Sequence, residues 1–283
     1  MVRIIQKIGG RAALFARRKN EVVAPPTLRE AARFPYGPFQ FKTQLPKGTA
    51  YTIQACTDLK TWNTILEGVA SEATIDCVDS EAHEFSYRFY RLVAGEVASL
   101  NVIGYVSTTL PPGFSMIANP LDTPKNTVTE MFKAWPDGTT FSKFDTRFFK
   151  LAENGVQGAK WTNPGERLGP GEGGIFFNPT EDYKSLSFAG EVRQGNLSVP
   201  IPAGFSIRSS LVPLPGSLHE DLGFPIADGD VIHLFDRERQ KYVLHPYQDG
   251  QWKAATPFVG VGESFWVAKA EPGNWDREFV VAG

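Results

Sequence analysis

The residues best spaced to do chemistry are Gly169-Pro170-Gly171-Glu172-Gly173-Gly174, which meet the G-x-G-x-x-G pattern of a dinucleotide-binding turn. That chemistry needs a helix after the glycines, because the helix N-terminus holds the pyrophosphate. Ile175-Phe176-Phe177 follows instead and reads as a strand, so the run is a tight turn feeding a core strand. Glu172 has a counterpart, Glu263, in Gly260-Val261-Gly262-Glu263. One acid in each place does not make a paired acid/base site, and turn amides are the simpler partner for it. Asp137-Gly138 and Asp228-Gly229-Asp230 are turn signals first. A Ca²⁺ site at Asp228, Asp230 and Asp236 would need more oxygen ligands at alternating positions. His83, His219, His233 and His245 show no metal spacing, and Ser115 and Ser206 stand in Gly-Phe-Ser rather than in a nucleophile elbow. No catalytic residue, metal ligand set or cofactor is expected. Trp135, Trp161, Trp252, Trp266 and Tyr247 remain as rings that could stack on a sugar; for the recurring Trp161 and Trp252 core closure is the commoner use of a large aromatic.

These residues belong to a duplicated segment. Residues 110–188 return at 201–279 with a constant offset of 91. Pro111, Gly113, Phe114 and Ser115 match Pro202, Gly204, Phe205 and Ser206, while Asp137-Gly138 matches Asp228-Gly229. Phe144-Asp145, Trp161, Gly169, Gly171, Glu172 and Phe188 match Phe235-Asp236, Trp252, Gly260, Gly262, Glu263 and Phe279. Turn and core residues recur, whereas no reactive set does. Such a duplication points to a building block or a binding module more than to an enzyme.

The 283 residues are 42% hydrophobic and 12% aromatic, with 27 Gly and 21 Pro. Aromatics broken up by Gly and Pro read as short strands and tight turns. Net charge is −2, unevenly spread. Six basic side chains and no acid lie in residues 1–20, leaving 23 basic against 31 acidic in the rest. The body of the protein therefore has no evident affinity for nucleic acid, and any such contact falls to the first twenty residues. Ile4, Ile8, Ala12 and Phe15 share one face of a possible helix over residues 2–19, with basic residues on the other side. Ile4, Ile8, Arg11, Phe15, Arg17 and Arg18 are expected to form an arm that docks on a neighbouring subunit. No run approaches the roughly 20 apolar residues of a membrane span, and no secretory h-region is visible. Cys56 and Cys77 form either a cross-strand disulfide or two buried thiols.

Four segments follow: a basic arm and linker (1–33), a small β-sandwich module (34–98), and two β repeat units (99–192 and 193–283). A short helical turn is expected near Leu28–Arg33, and short helices at Asn126–Lys133 and Ser217–Leu222. The fold class is all-β, a fibronectin- or immunoglobulin-like module followed by two duplicated sandwiches or barrels.

The string Tyr51-Thr52-Ile53-Gln54-Ala55-Cys56-Thr57-Asp58-Leu59-Lys60-Thr61-Trp62, closed by Arg88-Phe89-Tyr90-Arg91, resembles a small all-β module of bacterial secreted and surface proteins. Cys56 stands where that family carries Ser. The Gly-Phe-Ser and Gly-x-Gly-Glu segments resemble repeats of the same kind of protein. The resemblance implies either a structural subunit of a surface or virion assembly, extracellular or in a particle, or a glycan-binding, adhesive module. Expected partners are copies of itself, other subunits, or a glycan.

Overall fold

The computed structural model describes residues 24–33, 37–123 and 125–281. The arm residues Ile4, Ile8, Arg11, Phe15, Arg17 and Arg18 lie outside them. The chain is all-β and divides into two compact units. One takes in the described residues up to Tyr105 together with Val281, and the other is Val106–Val280. Among the described residues no helix is long and apolar enough to cross a membrane.

The first unit contains β1 (Leu28–Arg33), β2 (Phe39–Gln44), β3 (Ala50–Cys56), β4 (Asn63–Val69), β5 (Thr74–Asp79), β6 (Tyr87–Ala94) and β7 (Val97–Ala98). β2 lies between β1 and β5, β3 lies between β4 and β6, and β7 pairs with β6; every one of these pairings is antiparallel. Burial alternates along the strands as a pleat requires: Phe39, Phe41 and Thr43 of β2 face inward, as do Tyr51, Ile53 and Ala55 of β3. Phe39 stacks on Tyr90 with ring centroids 4.7 Å apart. Beneath them Asp79, 1% exposed, accepts from Arg88 Nη1 at 2.9 Å and from the Tyr90 hydroxyl at 2.7 Å. Burial and the Asp79 charge push the Tyr90 phenol far above its ordinary pKa.

Two sequence expectations change here. Leu28–Arg33 is a strand rather than a helical turn. Asn101 clamps the backbone of Leu28, accepting from its amide at 2.8 Å and donating to its carbonyl at 2.9 Å, and β2 supplies the remaining partners. Those tertiary bonds override local helical preference. Cys56 and Cys77, on strands of different sheets, are buried free thiols.

The second unit takes in most of β8 (Ile103–Leu110), which begins in the first, and all of β9 (Gly113–Ile117), α1 (Val128–Met131), β10 (Thr140–Asp145), β11 (Lys150–Gln157), β12 (Lys160–Trp161), β13 (Gly174–Asn178) and β14 (Lys184–Glu191). It continues with β15 (Gly195–Ile201), β16 (Gly204–Ser209), β17 (Gly216–Ser217), β18 (Val231–Asp236), β19 (Lys241–Gln248), β20 (Gln251–Trp252), β21 (Phe258–Val259), β22 (Ser264–Lys269) and β23 (Gly273–Phe279). The duplication is preserved in topology. One five-stranded sheet has the order β12-β11-β10-β13-β9 and the other β20-β19-β18-β22-β16, strand for strand the same. Strands β8 and β14, the end pair of a six-stranded sheet, cover the first, and the two-stranded ribbon of β15 with β23 covers the second. The first core packs Leu110 and Phe188 of its ribbon against Phe141, Val156 and Phe176 of its sheet. The second packs Leu197, Ile201 and Trp275 against Ile232, Phe265 and Val267. Each repeat is thus a sandwich. The helix expected within Asn126–Lys133 is α1, but of Ser217–Leu222 the first residue ends β17 and the rest form turns. There Asp221 Oδ2 accepts from both the Ser217 amide (2.8 Å) and its hydroxyl (2.7 Å), bonding that competes with helix.

Two predictions follow from the first unit. Asp79→Ala strands the buried Arg88 guanidinium and lowers stability by about 3–5 kcal/mol in chemical denaturation, with Tyr90→Phe costing less. Burial disfavours the thiolate and pushes both cysteines up to about 12. Iodoacetamide at pH 8 should therefore label neither thiol in the native protein and both after unfolding; one labelled native thiol would contradict this burial.

Candidate functional site

The Gly-x-Gly-Glu turns are built alike. In the first, the Gly169 amide donates to Glu172 Oε2 at 2.8 Å and the Glu172 amide donates back to the Gly169 carbonyl at 3.0 Å. In the second, the Gly260 amide donates to Glu263 Oε2 at 2.9 Å and the Glu263 amide returns to the Gly260 carbonyl at 3.3 Å. The remaining carboxylate oxygen takes a cation, Lys143 at 2.9 Å in one copy and Arg237 at 2.6 Å in the other. Lys143 lies in β10 while Arg237 lies in the β18–β19 loop, so the cation has changed element although the carboxylate has not. A strand follows the glycines in both copies, which leaves no helix N-terminus for a pyrophosphate.

Each turn reaches into the other repeat. Ser209 donates to the Gly171 carbonyl at 3.2 Å, and Ala118 donates to the Gly262 carbonyl at 2.9 Å. Glu172 bridges Arg208, and Glu263 bridges Ile117. Shifted by 91, each pair becomes the other, which is the signature of a two-fold, isologous contact. Gly171 (φ +91°) and Gly262 (φ +81°) adopt a backbone that L side chains rarely take, so glycine recurs there. Gly173 and Ser264 are counterparts that meet on this pseudo-dyad. A Cβ at Gly173 would fall 2.3 Å from Ser264 Cβ, so only one of the two positions can carry a side chain.

The dyad aligns the hairpins as well. Asp145 Oδ1 accepts from the Arg147 and Phe148 amides, and Asp236 Oδ1 accepts from the Glu238 and Arg239 amides. These turns carry Phe149 and Gln240, counterparts with φ of +50° and +52°. Gln240 lies on the first repeat, accepting from the Phe114 amide and donating to its carbonyl, both at 2.8 Å. Phe149 lies on the second repeat, its ring 6.3 Å from that of Phe205, the counterpart of Phe114.

An aromatic face grows from that asymmetry. Phe149 contacts Phe144 (5.2 Å between centroids), Phe144 contacts Trp266 (4.8 Å), and Phe205 contacts both Trp266 (6.2 Å) and His233 (5.7 Å). Tyr242 extends the chain to His233 and Phe235, and its hydroxyl accepts from Trp266 Nε1 at 3.2 Å. Edge-to-face geometry predominates, as ring quadrupoles favour. Burial among the rings lowers the His233 pKa. Phe149 is 64% exposed and its neighbour Phe148 62%, so the network opens to solvent. Leu244, half-exposed, pairs with His233 across β18 and β19 and shares the face.

Trp266, a sugar-stacking candidate, belongs to this face, whereas the recurring candidates Trp161 and Trp252 lie elsewhere. Trp161 is buried in the first core and donates from Nε1 to the Phe132 carbonyl at 3.0 Å, which leaves no ring face for a sugar. Trp252 is half-buried against the second core and Tyr247. Asp137 and Asp228 hold hairpin amides, Asp230 is buried against Lys269, and Asp236 pairs with Arg239. Among the described residues no cluster of three His, Cys, Asp or Glu could hold a metal ion. Matching the repeats to each other hides the aromatic face, because Phe149, His233, Tyr242 and Trp266 stand opposite Gln240, Ser142, Leu151 and Ile175. Its signal is the difference between the copies.

The dyad makes an asymmetric prediction. Gly173→Ser overpacks the axis and lowers the stability of the repeat pair by about 1–3 kcal/mol, read by chemical denaturation. Ser264→Gly, which leaves the axis empty and introduces no overlap, costs about 1 kcal/mol, in the range of a glycine's extra chain freedom.

No protein-family model matches the chain, and no curated protein shows significant similarity to it. Among solved structures, the FN1–FN3 domains of chicken CNTN1 align over 90% of this chain and 98% of that one, at 10% identity and a TM-score of 0.23.

Proposed function

We propose that the chain is a non-catalytic structural subunit whose repeat pair binds a protein partner through the aromatic face. The partner is another copy of the chain or a further subunit of a surface or virion assembly, and residues 1–20 act as a second, basic docking arm. The observation that carries this reading is the connected ring network ending in the exposed Phe148 and Phe149. Contiguous exposed aromatics are uncommon on monomeric proteins and mark interaction sites. Around the rings Arg147, Lys150, Glu153, Glu238, Arg239 and Lys241 are exposed, giving the apolar centre and charged rim of a protein interface. In the alternative reading, a glycan stacks on Phe149, Tyr242 and Trp266. The openness of these rings favours it over stacking on Trp161.

Phe148→Ser with Phe149→Ser should leave the unfolding transition within about 0.5 kcal/mol of wild type, since both rings are largely exposed. Light scattering at tens of micromolar should find wild-type mass above 31.2 kDa and the double variant at the monomer mass. A wild-type monomer with or without residues 1–20 would overturn self-assembly, and glycan-array binding lost in the double variant would establish the alternative.

A further inference from the structure

A second difference between the copies runs along β19, which β20 covers only at one end. Tyr247 pairs with Trp252 and Gln248 with Gln251, and the Lys253 amide donates to the Pro246 carbonyl at 2.9 Å. On the other side of β19, the Tyr247 amide donates to the Asp230 carbonyl at 2.9 Å. Backbone groups alternate in direction along an antiparallel strand. Val243 therefore turns its amide and carbonyl towards β18, while Tyr242 and Leu244 turn theirs outward. Among the described residues no strand pairs with the outer side of residues 241–245. Two amides and two carbonyls stand open on a sheet edge.

The side chains along that edge are apolar. Tyr242, Val243 and Leu244 are 42%, 47% and 50% exposed. Tyr242 and Leu244 lie on the aromatic face, paired across the hairpin with Phe235 and His233. Val243 lies on the opposite face, where it lines a cavity of about 300 Å³ with Met116, Leu234, Val259 and the exposed Phe258. In β11 the same edge carries Ala152 and Glu153 in place of Val243 and Leu244. A charged side chain on an open edge opposes strand pairing. β19 lacks that charge and holds no acid at all, and its exposed Lys241 makes no ion pair among the described residues.

We infer that the outer edge of β19 receives an extended segment of a protein partner as an added antiparallel strand. The segment's backbone pairs with Tyr242 and Leu244. One apolar side chain enters the cavity beside Val243, its two neighbours lie on the aromatic face, and an acid stands opposite Lys241. In this mode main-chain hydrogen bonds supply affinity and alternate side chains supply selection. Charge chooses the occupant. Residues 1–20 hold six basic side chains and no acid, and a second β19 has no acid either, so neither complements Lys241. The inference rests on the reading of the chain as a subunit that binds protein partners, and gives one partner the form of an apolar strand ending in an acid.

The test is an NMR titration of the full chain with the capped peptide Ac-Thr-Val-Leu-Val-Glu-NH2, beside the same peptide N-methylated at both valines. The parent peptide at millimolar concentration should shift the Tyr242, Val243 and Leu244 signals. It should slow hydrogen exchange at the Tyr242 and Leu244 amides but not at Val243, which is bonded within the hairpin. N-methylation, which removes the two donors, should weaken binding by on the order of tenfold. Leu244→Glu, which installs the first repeat's residue, should weaken it by a similar factor. The Phe148→Ser, Phe149→Ser variant should bind the peptide as wild type does, so failure of this inference and failure of the aromatic-face reading are told apart. Unchanged exchange at both amides, or equal binding of the N-methylated peptide, would overturn the inference. Protection of those amides that rises with protein concentration in the absence of peptide would overturn it too, by giving the edge to a second copy.

Discussion

Two hydrogen bonds, from Ser209 to the Gly171 carbonyl and from Ala118 to the Gly262 carbonyl, tie each repeat's turn to the other repeat's sheet, and the second unit depends on them. The turns can make this approach because their glycines sit at positive φ and because Glu172 and Glu263 hold the Gly169 and Gly260 amides. Around that axis the strand orders coincide and the two ribbons cover equivalent cores. The recurring Gly-x-Gly-Glu segment is therefore a device for pairing repeats, and the recurring carboxylate is structural.

What the duplication leaves free has diverged. Close to the dyad, Gly173 facing Ser264 shows that even the axis is not symmetric, because two side chains do not fit there. Farther out, Phe149 and Gln240 occupy equivalent places, but one adds a ring to a neighbouring face and the other bonds backbone. Exposed aromatics gather on one side of the second repeat as a result. A duplicated scaffold can hold its geometry through turns and cores while its two faces take different partners.

The sequence made the strands of both repeats legible, because Asp-Gly turns and Gly-Phe-Ser segments bracket apolar runs that alternate. Ile175-Phe176-Phe177, which reads as a strand, lies at the centre of β13. β8 and β15 are less legible, since Ser107-Thr108-Thr109 in one and Pro200 in the other look like connections until their strand partners are seen. Leu28–Arg33 misled for a related reason: its helical composition yields to the Asn101 clamp, 73 residues away in sequence. The aromatic face was hidden because its rings come from both copies and because Phe149, His233, Tyr242 and Trp266 stand at positions where the other copy has no ring. Trp161 drew attention as a repeated tryptophan, yet repetition followed burial there rather than binding.

The reciprocity of the dyad can be read from amide hydrogen exchange at Ala118 and Ser209. Both amides sit at the ends of edge strands, where an isolated sandwich would leave them open to solvent. Both should be protected, to similar degrees, and exchange through a common opening in which the repeats part. Exchange of either amide at the rate of an unpaired edge, or protection of one without the other, would contradict it.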